Sequence, residues 1–145
     1  MSKALATIGY ESATQDEVIA RLLAAGVEVL IDVRAVAASR RAGFSKHVLA
    51  ASLEAAGIDY VHLRQLGTPK PGRDAARAGR IAEMHAIFET QLAEPAAQLE
   101  LAQAAEIARD RNAALLCYEA DPHRCHREIV AERLCARLGC TIENL

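Results

Sequence analysis

Apolar and polar positions along this chain alternate between two periods, and the switches mark its elements. Leu5 to Gly9 is a short continuous apolar run, the pattern of a strand covered on both faces. Thr14 and Glu17 form a capping box ahead of Val18, Ile19, Leu22 and Leu23 at helical spacing, and Gly26 ends that helix. Val27 to Val33, β-branched with a single Glu, predicts a second strand. Ser45 caps a helix carrying Val48, Leu49 and Leu53, Gly57 closes it, and Ile58 to Leu63 predicts a third strand. From Arg64 to Gly79 the periodicity fails while Gly67, Pro69, Pro71, Gly72 and Gly79 accumulate, which predicts a long loop. Ile81, Met84, Phe88 and Leu92 restore a helix, and Pro95 restarts one that runs to about Arg109. Ala113 to Tyr118 predicts the fourth strand. Asp121 and Pro122 then supply a cap and a first helical residue, Gly139 closes that helix, and Cys140 to Leu145 predicts a fifth, edge strand.

Strands alternating with helices, without internal repeat, predict one α/β domain over residues 1–145. The expected architecture is a three-layer sandwich around a mostly parallel sheet of about five strands, Rossmann-like and most simply ordered 3-2-1-4-5. Ligands of such sheets bind beyond the carboxyl ends of the strands where the order reverses. That rule selects three loops: residues 9–12, 32–46 and 119–127.

Composition narrows the partners. Apolar residues make up 52% and charged residues 25%, so the chain folds around a core. A net charge of −2 provides no global basic field for non-specific nucleic-acid binding, and two Phe, three Tyr and no Trp argue against folds that stack bases on aromatic platforms. No apolar stretch approaches the ~18 residues of a membrane helix, and Met1 to Ile8 does not read as a signal peptide. These features predict a cytoplasmic protein without a membrane partner, whose cysteines are reduced.

Positive charge is instead local. No acidic residue lies between Asp32 and Glu54, while Arg34, Arg40, Arg41 and Lys46 do. A solvated basic loop is the plain alternative for the last three. Arg34 follows Asp32 at the mouth of a buried strand, where a carboxylate can hold a guanidinium planar and aimed at a phosphate or carboxylate.

The densest chemistry runs from Cys117 through Glu119, Asp121, His123, Arg124, Cys125 and His126 to Arg127. A helix starting at Pro122 puts Arg127, Val130, Leu134 and Leu138 on one stripe, turning Arg127 into the crevice, and its N-terminal amides favour anions. Cys125 in the first turns of that helix, between Arg124 and His126, has the setting of an activated thiol, although a packed, inert thiol is the commoner reading. Cys117 lies within a strand and reads as core. Cys117, His123, Cys125 and His126 lack the paired C-x-x-C spacing of structural zinc sites, so no metal is assigned. Cysteine phosphatases and rhodaneses also follow a strand with Cys, a loop and Arg, but their loops hold five intervening residues and Cys117 to Arg124 holds six.

Thr7-Ile8-Gly9-Tyr10-Glu11-Ser12, Asp32-Val33-Arg34, Ser39-Arg40-Arg41-Ala42-Gly43-Phe44-Ser45, Tyr60-Val61-His62-Leu63, Leu66-Gly67 and Cys117-Tyr118-Glu119 through Cys125-His126-Arg127, in that order, resemble domain-of-unknown-function family 488. The resemblance runs nearly end to end. It implies a small cytosolic α/β protein of bacteria and archaea, of a family without a defined biochemical activity. The family usually has His where Tyr10 stands, a Pro before the Ser-Arg pair, and Ala where Tyr118 stands.

The expectation for function is an anion-binding crevice in which Gly9, Tyr10, Ser12, Asp32, Arg34, Arg40, Phe44 and Arg127 hold a phosphorylated or nucleotide-like small molecule, or a nucleic-acid end. Glu119, Cys125 and His126 are the candidate catalytic groups, with Glu119 as general base. One alternative is thiol chemistry, persulfide or redox, at Cys125 or Cys117. Another is a non-catalytic interaction module, for which the Ala-rich helices between Ile81 and Arg109 suit a homodimer. No cofactor is assigned. The segment Arg64 to Gly79, with Arg64, Lys70 and Arg73, is expected to close over the crevice as a lid.

Overall fold

Five parallel strands form one sheet in the computed structural model, which describes residues 4–145. Residues 1–3 of the segment read for a signal peptide lie outside the described residues. The strands are β1 (Ala4–Gly9), β2 (Val29–Asp32), β3 (Asp59–His62), β4 (Ala113–Cys117) and β5 (Thr141–Asn144). The helices are α1 (Gln15–Ala24), α2 (Lys46–Ala55), α3 (Lys70–Arg77), α4 (Ile81–Leu92), α5 (Pro95–Asp110) and α6 (Arg127–Leu138). Thr14 and Glu17 make the reciprocal capping box at the start of α1.

The α/β class and the parallel five-stranded sheet hold, but the order is 3-2-4-1-5, not 3-2-1-4-5. Strand hydrophobicity does not separate the two, because β1 and β4 are both apolar on both faces and either suits the centre. The fit at the strand entry decides. Asn112 binds β2's approach on three atoms: its N–H donates to Glu28 Oε1 at 2.9 Å, its side chain to the Gly26 carbonyl at 3.2 Å, and its own carbonyl accepts from Glu28 and Val29.

Alternation along the strands divides the core between the two faces. Ala6, Ile8, Leu30, Ala114 and Leu116 pack under α1 and α2 with Val18, Leu22, Leu49 and Leu53. Leu5, Val29, Ile31, Leu115 and Cys117 pack under α4, α5 and α6 with Phe88, Leu101, Val130 and Leu134. Right-handed crossovers require this split, since the chain moves one way through β1, β2 and β3 and then reverses.

Three local expectations are corrected. Residues 64–79 are not a loop: a 3-10 turn at Arg64–Leu66 leads into α3, whose Pro71 lies in the first turn where a missing N–H costs nothing. Small buried Gly72 and Ala75 replace the large apolar residues that usually signal a helix. The helix expected at Pro122 begins at Arg127; Pro122–Arg124 is a 3-10 turn under an Asp121 cap, and Cys125 is extended. The thiols are not all reduced, for Cys135 and Cys140 form a disulfide with Cα atoms 4.6 Å apart. Gly139, left-handed at φ 68°, turns the chain after α6 and brings Cys140 back beside Cys135. Among the described residues no helix is long and apolar enough to cross a membrane.

Candidate functional site

The ends of β1, β4 and β2 are neighbours, and their loops are laced together. Tyr10 N–H donates to the Tyr118 carbonyl at 3.0 Å, Val33 N–H to the Leu116 carbonyl at 3.1 Å, and Ala120 N–H to Glu11 Oε1 at 3.1 Å. Gly9 allows this approach: a Cβ there would stand 1.8 Å from the Glu119 carbonyl oxygen. The position is needed for packing.

Two separate polar clusters sit at this end of the sheet, one on each face. Beneath α1 and α2, Asp32 and Arg34 form a buried ion pair, with Arg34 Nη2 to Asp32 Oδ2 at 2.7 Å and Nε within 2.9 Å of Oδ1. Arg34 Nη1 donates to the Tyr10 hydroxyl at 3.0 Å and the Phe44 carbonyl at 2.8 Å, and the Tyr60 hydroxyl donates to Asp32 at 2.6 Å. Tyr10 stacks on Phe44 with centroids 4.3 Å apart. Burial, followed by the Asp32 charge, raises the Tyr60 phenol, so it stays protonated as a donor. The donors of Arg34 point into the protein.

Beneath α4 to α6 lies the second cluster. Cys117 ends β4, Glu119 follows two residues on with its carboxylate near the Cys117 sulfur, and Cys125, extended after a 3-10 turn, brings its sulfur within 4.8 Å of that of Cys117. His126, at the cap of α6, places Nδ1 3.7 Å from Cys117 Sγ and 3.9 Å from Cys125 Sγ. Its Nε2 lies 2.7 Å from the Val33 carbonyl, which can only accept, so Nε2 carries hydrogen and Nδ1 faces the sulfurs. The ring rests on Phe88 at 4.9 Å. The Glu119 carboxylate is 3.8 Å from Cys117 Sγ. Cys117, Cys125 and His126 are all buried.

These groups shift one another. Burial alone would raise the Cys125 thiol, but a hydrogen bond from Cys117 and the charges of His126 and Arg127 outweigh it and hold the thiol well below its ordinary range. Donation to Cys125, then burial, pushes Cys117 well above that range. Burial and the Cys125 charge push Glu119 up to about 7. His126 is raised, because the Cys125 thiolate and the Val33 carbonyl overcome the opposing effect of burial.

The expected site residues therefore separate. Glu119, Cys125 and His126 come together, joined by Cys117. Tyr10, Asp32, Arg34 and Phe44 form the other cluster. Arg127 is 1% exposed; Nη1 donates to the Glu119 carbonyl and Nη2 to that of Ala120 at 3.3 Å, while Nε has no partner. Ser12, Arg40 and Arg124 are exposed, as is His123, which pairs with Glu128 at 2.8 Å. Cys117 reads from the sequence chiefly as core and as a secondary candidate for thiol chemistry; its contact with His126 and Glu119 is what folding adds.

A family model described as "Domain of unknown function DUF488" matches residues 14–134, most of the chain. The chain belongs to the DUF488 family. The match covers α1 through most of α6 and thus both clusters except Tyr10. No curated protein and no solved structure matches the chain.

Proposed function

We propose that this DUF488 protein is a thiol-dependent redox protein whose Cys117 and Cys125 cycle between dithiol and disulfide. The observation that supports it is the meeting of the two free cysteines with one imidazole, Nδ1 being within 3.9 Å of both sulfurs. The cationic surroundings of His126 and the buried Arg127 favour Cys125 as the attacking thiolate. Cys125 attacks one sulfur of a partner disulfide, forming a mixed disulfide and expelling a thiolate. The His126 imidazolium protonates that first leaving thiolate; Cys117 then gives its proton to the freed imidazole and attacks Cys125, closing the Cys117–Cys125 bond and expelling the second thiolate, which takes that proton. The partner disulfide is reduced by two electrons, the protein dithiol is oxidised by two, and the two thiol protons pass to the leaving groups.

Both sulfurs are buried, so exchange requires opening of segment 118–126, whose Tyr118, Asp121, His123 and Arg124 are exposed. The anion-binding reading is less well supported, because Arg34 directs its donors to Asp32, Tyr10 and the Phe44 carbonyl, and both Nη groups of Arg127 meet backbone carbonyls, leaving only the buried Nε without a partner.

Glutathione disulfide tests the proposal by mass spectrometry. The wild type ends with an intramolecular disulfide, Cys117→Ser stalls with one glutathionyl group on Cys125, and Cys125→Ser acquires none at Cys117. Equal glutathionylation of both variants, or of neither, would refute the assignment.

A further inference from the structure

We infer that Cys117, Cys125 and His126 also form a metal site, which in the reduced protein takes a zinc-class divalent cation through two sulfurs and one nitrogen. The inference deepens the thiol proposal and rests on it in one respect: both need Cys117 and Cys125 as a free, adjacent pair. A cation on both sulfurs and a disulfide between them exclude each other.

Geometry carries the argument. The two Sγ atoms and the imidazole nitrogen all lie within 4.8 Å of one another. Metal–sulfur bonds of about 2.3 Å and metal–nitrogen bonds of about 2.0–2.1 Å at a tetrahedral angle require a sulfur–nitrogen separation of about 3.6 Å. His126 Nδ1 stands 3.7 and 3.9 Å from the two sulfurs. Both sulfur–nitrogen spacings therefore fit a tetrahedral ion with shifts of a few tenths of an ångström, and the two sulfurs lie within 4.8 Å of each other.

The outer shell has the same character. A metal-bound histidine ordinarily donates its other ring N–H to a carbonyl or carboxylate, which fixes the tautomer and aims the lone pair. His126 does so to the Val33 carbonyl at 2.7 Å, leaving Nδ1 directed at the sulfurs. Phe88 and the surrounding core keep the pocket dry on one side. Glu119 stands beside the three ligands, its carboxylate 3.8 Å from Cys117 Sγ. Formal charges balance: a divalent cation offsets two thiolates, and the Glu119 carboxylate offsets the Arg127 guanidinium. Two thiolates and an imidazole select zinc-class ions over magnesium or calcium, which take oxygen ligands.

The cysteine spacing hides this site. Cys117 and Cys125 are eight residues apart, and the 3-10 turn at Pro122–Arg124 brings them together.

Cobalt(II) is the probe, added to the full-length, reduced, metal-free protein without oxygen. One equivalent is expected to give a thiolate-to-cobalt charge-transfer band and the intense visible bands of tetrahedral coordination, both abolished by zinc. Cys117→Ser and Cys125→Ser should each weaken binding by more than about 100-fold, beyond what loss of an outer-shell partner costs. Cys135→Ser/Cys140→Ser should keep the full spectrum. In the wild type, which needs no variant to fold, one equivalent of zinc should slow alkylation of Cys117 and Cys125 together. Absence of the charge-transfer band, or its persistence in Cys117→Ser/Cys125→Ser, overturns the inference. If diamide joins Cys117 to Cys125 in protein that gives no cobalt band, the metal inference fails and the redox proposal survives. A cobalt band in protein that never forms that disulfide supports the metal site and removes the redox proposal.

Discussion

The two faces of the sheet, at the same carboxyl ends of the same strands, carry polar clusters of opposite kinds. Under α1 and α2 the Asp32–Arg34 pair is closed: the Arg34 donors meet a carboxylate, a phenol and a carbonyl, and Tyr60 completes Asp32. Under α4 to α6 the sulfurs and the imidazole approach one another at 3.7–3.9 Å, too far for strong hydrogen bonds and close enough to share an ion or form a bond. A saturated buried network holds loops in place, whereas an unsaturated one retains valence for chemistry.

The sharpest way to break this contrast is to remove one partner on each side. Asp32→Ala leaves the Arg34 charge buried and should cost about 3–5 kcal/mol in urea unfolding, whereas Cys117→Ala should cost about 1 kcal/mol. Asp32→Ala/Arg34→Met should recover part of the loss, since no uncompensated charge remains. Equal costs on the two faces would erase the distinction.

Gly9→Ala comes next. The added methyl meets the Glu119 carbonyl at 1.8 Å and must push apart the loops that frame both clusters, at about 3 kcal/mol by thermal unfolding. A change below about 0.5 kcal/mol would show that these loops yield freely.

Much of this was legible beforehand, and the failures share a cause. Val29, Leu30 and Ile31 announced a doubly covered strand, and Thr14 with Glu17 a helix start, because both signals are local. The place of β4 between β2 and β1 was not, since Asn112 meets Glu28 only after folding. Asp32 beside Arg34 was legible from their spacing, whereas the partners Tyr10 and Phe44, 24 and 10 residues away, were not. Cys117 reads as a core thiol and Cys125 as a helix-terminal thiol, and their spacing lacks the C-x-x-C form of a metal pair; their meeting depends on a 3-10 turn whose proline reads as the start of a helix.

A smaller effect sharpens the charge picture of the open cluster. Glu119, pushed up to about 7, binds its proton more tightly folded than unfolded, so its ionisation lowers stability as pH rises from about 4.5 to 7. In metal-free protein Glu119→Gln should be stabilising by up to about 3 kcal/mol at pH 8 and by less than about 1 kcal/mol at pH 5. A gain that does not depend on pH would place the carboxylate outside the thiol cluster's influence.

The central claim is that Cys117 and Cys125 are partners, and peptide linkage after mild oxidation tests it most directly. Trypsin cuts after Arg111, Arg124 and Arg127. Diamide-treated native protein is predicted to yield Asn112–Arg124 disulfide-bonded to Cys125–Arg127, a species released by reductant and absent from Cys117→Ser. Recovery of both peptides with free, alkylatable thiols after that treatment would contradict the account.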